Sequence, residues 1–95
     1  MFAVLVEVDT GGIADMDAAR KHLNQTVVPQ VRDARARAAY WLESRGSRGV
    51  SMFVFDTEEV ARAMAGGLKV GETPAGAPEG VKVRTVEVSE VVASL

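Results

Sequence analysis

Cysteine is absent from the 95-residue chain. That removes a disulfide framework, a thiol nucleophile and a thiolate metal site from consideration. Aromatic residues are scarce at 5%, and histidine occurs once. No apolar run approaches the roughly 18–20 residues that span a bilayer. No basic region precedes the apolar stretch that follows Met1, so the sequence predicts no secretory leader. Neither sign of charge dominates: the net charge is -2 and the pI about 5.3. That balance argues against a general nucleic-acid or anionic-membrane binder. The expectations are a cytoplasmic protein with no nucleic-acid or membrane partner. What the chain does have is 47% hydrophobic and 25% charged residues, the make-up of an ordinary globular domain. Its length predicts one domain over residues 1–95.

Residues 2–8 are β-branched and apolar on both parities. Phe2, Val4, Val6 and Val8 share one face, and Ala3 and Leu5 the other, the pattern of a strand covered on both sides. Thr10-Gly11-Gly12 ends it with turn chemistry. A helical pattern follows from about Asp15, an N-cap type, to Arg37. Met16, Ala19, Leu23, Val27, Val31 and Ala34 recur at spacings of three and four and make one apolar stripe. Pro29 sits inside this pattern and cannot donate to the carbonyl of Gln25, which predicts a kink near 25–28. Residues 38–43 and 50–55 read as two strands of a hairpin joined by the polar turn 44–49. Asp56 with Glu59 three residues on matches a capping box for a second helix, which Gly66-Gly67 ends.

Five of the nine glycines and two of the three prolines fall within 66–80, the one long loop-like stretch. In the last strand, about 81–92, Val81 and Val83 share a parity that Val86 and Val88 do not. That change predicts a bulge near Arg84–Thr85. The order β-α-β-β-α-β is the ferredoxin-like pattern: an α+β fold with a four-stranded antiparallel sheet and two helices on one face. The sheet's other face is expected to be largely apolar, through Phe2–Leu5, Tyr40–Leu42, Met52–Phe55 and Val81–Val88. Such a face is anomalous for a monomer and predicts a homodimer joined sheet to sheet.

Several segments carry a family resemblance: Val28-Pro29-x-Val31, Ala39-Tyr40-Trp41-Leu42, the run from Gly49 to Ala61, and Val86-Glu87-Val88-Ser89-Glu90-Val91-Val92-Ala93. In these, over essentially its whole length, the chain resembles the dimeric α+β barrel superfamily, in particular the branch of the antibiotic-biosynthesis monooxygenases. The resemblance implies a homodimer whose two sheets face each other as a barrel, with a cavity between sheet and helices in each protomer. It also implies the possible company of enzymes that oxidise aromatic polyketides or degrade haem, and of non-enzymatic dimers. A shared fold does not carry a function.

The candidate pocket residues are Tyr40, Trp41, Arg84 and His22. Tyr40 and Trp41 are adjacent on a strand, so they point to opposite faces, one toward the helices. Each is either a core filler or a pocket wall. Arg84, at the expected bulge, either projects a guanidinium into the cavity or stands in water at an edge. His22 lies at the border of the helical stripe, as a half-exposed side chain or as a base or ligand. Arg45 and Arg48 in the hairpin turn are a candidate anion clamp or a solubilising pair. Ser51 and Ser44 have no neighbouring histidine to activate them. Asp9, Asp15 and Asp17 lack calcium-loop spacing, and Gly11-Gly12 lacks the following Lys-Ser/Thr of a phosphate loop. No metal or cofactor is expected.

RNA-recognition motifs share the element order, but Val50 and Met52 stand where their stacking aromatics would fall. The leading reading is a small homodimer that binds a small apolar or aromatic metabolite, or is purely structural. The alternative is a cofactor-independent monooxygenase acting on an activated phenol, with Tyr40, Trp41 and Arg84 around the pocket.

Overall fold

The computed structural model describes residues 1–44 and 46–95, with the backbone alone of Ser44. Arg45, half of the arginine pair in the hairpin turn, lies outside the described residues. Strands β1 (Phe2–Asp9), β2 (Ala38–Ser44), β3 (Arg48–Phe55) and β4 (Lys82–Glu90) form one sheet in the order β2-β3-β1-β4. Every neighbouring pair is antiparallel. This is the α+β arrangement expected of a ferredoxin-like chain. No helix is long and apolar enough to cross a membrane among the described residues.

Between β1 and β2 runs a helical rod in three parts: α1 (Met16–His22), a π-helical turn (Leu23–Val27) and α2 (Val28–Asp33). Asp15 caps it by accepting from the amides of Asp17 and Ala18 at 3.0 and 3.1 Å. Pro29 has no amide to give and crowds the preceding turn. The chain answers with wider winding: the Val28 amide donates to the carbonyl of Leu23, five residues back. The expected kink is therefore a π-turn within a continuing rod. The rod ends at Asp33, four residues before the sequence pattern fades. Arg35 takes a left-handed φ of 65°, and the Ala36 amide returns to the Val31 carbonyl, which satisfies the last carbonyls.

Helix α3 (Glu58–Gly66) joins β3 to β4. Its N-cap is Thr57, whose hydroxyl accepts from the Val60 amide at 3.3 Å. Asp56, the residue expected to cap, instead pairs with Arg37 at 3.0 Å. The cap therefore falls one residue later than the sequence placed it, and Asp56 pairs with Arg37 at the adjoining end of β2.

The core lies between the sheet and α3. Val4, Val6, Phe53, Phe55, Val83 and Ala61 are its buried members, with Ala61 and Val4 fully enclosed. The bulge falls where the parity change placed it. Glu7 lies opposite Thr85 and Val8 opposite Val83, so Arg84 is the extra residue. It returns Val86 and Val88 to the helix-facing side, opposite Val6 and Val4. That leaves Glu87 and Ser89 on the other face, which corrects one expectation. The open face is apolar over β2, β3 and the middle of β1, but β4 contributes polar residues to it.

Candidate functional site

The apolar stripe of the rod does not close onto the sheet. Met16, Ala19, Leu23, Val27, Val31 and Ala34 instead line one wall of a cavity of about 580 Å³. Of these six only Ala19 is buried. The floor is the helix-facing side of the sheet: Val6 and Val8 from β1, Trp41 and Glu43 from β2, and Gly49, Ser51, Phe53 and Phe55 from β3. Met64 and Leu68 enter from the end of α3, and Pro74, Ala75, Ala77 and Pro78 from the loop after it. Drug-sized ligands occupy clefts of about 300–1,000 Å³ lined mainly by apolar side chains, so size and lining both fall within that class.

The loop 67–81 acts structurally as a strap across the cavity. At its start the Gly71 amide donates to the Val83 carbonyl and the Val83 amide to the Glu72 carbonyl, at 2.8 and 2.9 Å. At its end Gly80, with φ +96°, sits so close to Gly12 that a Cβ on either would strike the other's backbone. Between these anchors the imidazole Nε2 of His22 hydrogen-bonds the Gly76 carbonyl. Gly76 itself (φ +80°) packs against the Gln30 amide. The sequence marked 66–80 as the one long loop-like stretch; in the structure it walls the cavity and is tied to the rod.

A second tie joins the rod to the sheet. Arg20 of α1 pairs with Glu43 of β2 at 2.5 Å, with 60% and 49% of the two side chains exposed. A bridge this wet contributes about 0–1 kcal/mol, so its importance lies in spanning the rim. The bond to Glu43 raises the Arg20 pKa further above its ordinary value.

The four candidate residues are not brought together. Trp41 alone lines the cavity; its ring meets Phe53 edge to face at 5.3 Å between centroids. His22 is half-buried beside it, holding the strap rather than facing the interior. Tyr40 projects from the opposite face of the sheet and is 57% exposed. Arg84 also lies away from the cavity. Its guanidinium pairs with Glu7 at 3.5 Å, alongside Arg48 at 3.0 Å. The hydrogen bond from Arg48 is the largest influence on the Glu7 carboxyl; desolvation, next in size, opposes it, and the positive charges of Arg48 and Arg84 then help to hold the group below its ordinary pKa. A carboxylate within reach outcompeted the cavity for Arg84.

Sequence reasoning weighed Ser51 only as a nucleophile. It occupies the floor beside Trp41, its direct cross-strand partner, and is buried to 8% exposure. The signal was available in its parity, which it shares with Phe53 and Phe55. Among the described residues no three His, Cys, Asp or Glu side chains cluster to hold a metal ion.

These features define an α+β domain with a ferredoxin-like strand order and an apolar cavity between sheet and helical rod. No known protein family, curated protein or solved structure matches the chain.

Proposed function

We propose that this chain is a cytoplasmic homodimer of the dimeric α+β barrel type whose cavity binds a small apolar or aromatic metabolite. The observation that carries the binding role is the roughly 580 Å³ space floored by Trp41 and walled by the rod's whole apolar stripe. A purely structural dimer has no need to hold an amphipathic helix away from its sheet, since apolar surface gains most when packed. Naphthalene, titrated into isotopically labelled protein, is expected to shift the resonances of Trp41, Val6 and Ala19 and to leave those of Tyr40 unmoved. Absence of shifts at the first three overturns the binding role. The monooxygenase reading relied on Tyr40, Trp41 and Arg84 sharing a pocket, and two of the three lie elsewhere. Oxygen uptake with a hydroquinone, lost in Trp41→Phe, would restore it.

The dimer rests on the sheet's open face. Tyr40 and Leu42 are 57% and 59% exposed there. Met52 is the cross-strand partner of both Tyr40 and Leu5, and Val50 that of Leu42, so the apolar side chains form one patch. Apposing two copies about a two-fold axis removes it from water. Sedimentation at micromolar concentration is expected to give a dimer for the wild type and a folded monomer for Leu42→Glu. A wild-type monomer sinks the assembly.

A further inference from the structure

We propose that the cavity selects a neutral aromatic molecule bearing one hydroxyl or carbonyl group, and that Ser51 is the residue that recognises that group. This inference rests on the cavity being a binding site and names the chemistry of its occupant. Ser51 is more than nine-tenths buried at 8% exposure. It shares the helix-facing side of β3 with Phe53 and Phe55 and lies between Val6 of β1 and Trp41 of β2. Among the described residues its hydroxyl makes no hydrogen bond to side chain or backbone, and no buried side-chain polar atom is sealed away without a partner. The hydroxyl therefore opens on the cavity that Ser51 lines.

An apolar ligand seated over this hydroxyl strips its water and leaves it without a partner, which is costly, whereas a ligand that supplies a partner avoids that cost. The Ser51 hydroxyl can donate to a carbonyl or accept from a hydroxyl. The surroundings decide the rest of the ligand. The neighbouring floor is Trp41, Val6 and Phe53, which favours a flat apolar body with one polar end. Among the described residues the one Lys or Arg lining the cavity is Arg20, and it is already paired with Glu43 at 2.5 Å. A ligand carboxylate would have to displace Glu43 or enter without a counter-charge, and an unpaired buried charge is strongly disfavoured. A neutral polar group carries no such penalty.

The test compares three probes of one ring system by calorimetric or NMR titration: naphthalene, 2-naphthol and 2-naphthoate. In the wild type, 2-naphthol is expected to bind roughly 3- to 10-fold more tightly than naphthalene, the worth of one neutral hydrogen bond, and more tightly than 2-naphthoate. Ser51→Ala is expected to erase the advantage of 2-naphthol, read as the ratio of the 2-naphthol and naphthalene affinities measured on the same variant. Equal wild-type affinities for naphthalene and 2-naphthol overturn the role of Ser51 but leave the cavity a binding site, as does an undiminished preference in Ser51→Ala. Tightest binding of 2-naphthoate overturns the neutral-ligand assignment in favour of Arg20. If no probe binds, the binding role of the cavity fails, and this inference with it.

Discussion

Gly80→Ala is expected to lower the stability of the fold by about 2–4 kcal/mol, combining a disfavoured backbone conformation with overpacking. Gly80 holds φ at +96°, where a side chain is strained whatever the space around it. Space is also lacking. A Cβ there would fall inside the contact envelope of the Gly12 carbonyl oxygen and carbon, and 3.0 Å from the Ile13 amide nitrogen. These are backbone atoms fixed by the turn after β1, so neither side can yield without moving a strand end. The neighbouring Val81 is buried and Val83 belongs to the core, so displacement at Gly80 propagates inward. A domain of this size has about 5–15 kcal/mol in total, so the loss is severe. Gly66→Ala serves as the control. It ends α3 with nothing within 4 Å of the added methyl, and the expected outcome there is neutral to mildly stabilising. Urea unfolding of both variants checks this; near-equality of Gly80→Ala with the wild type would remove the close approach of strap and turn from the account.

Phe55→Ala is expected to cost about 3–5 kcal/mol, the range for deleting an enclosed aromatic side chain. Phe55 is 1% exposed and among the largest fully buried side chains. It lies at the end of β3 opposite Phe2 and belongs to the cluster that includes Val4 and Ala61. It also borders the cavity between sheet and rod, so truncation joins new empty space to space already present. Neighbouring side chains then have less to collapse against, which places the expected loss toward the upper end of the range. Thermal unfolding followed by circular dichroism measures it. A change under about 1 kcal/mol would mean that the sheet and α3 are not held together by this cluster.

Much of this architecture was legible residue by residue. The shared parity of Phe2, Val4, Val6 and Val8 placed them together on one face of β1, because a strand's side chains repeat every second residue, but with both faces apolar it did not say which of them the helices cover. The break in phase between Val83 and Val86 located the bulge near Arg84–Thr85, and the strand register puts it at Arg84. Pro29 announced an irregular turn, since an absent amide must alter the bonding around it. Other features were not local. Tyr40 and Trp41 are neighbours, and alternation dictates only that they diverge. Which one meets the cavity depends on the pairing of Trp41 with Ser51 and on which side of the sheet the helices cover. Asp56 and Arg84 found partners far along the chain, Arg37 and Glu7, so their roles followed from proximity rather than from the motifs around them.

By itself the sequence determined the order of strands and helices, the apolar stripe of the rod and the loop-forming character of 66–80, all consequences of short-range periodicity and backbone chemistry. Only the tertiary structure decided that the stripe faces a cavity and not a packed sheet. A periodic apolar face records that it avoids water, not what fills the space before it. That distance is set by contacts between remote segments: Arg20 with Glu43, His22 with Gly76, and Gly12 against Gly80.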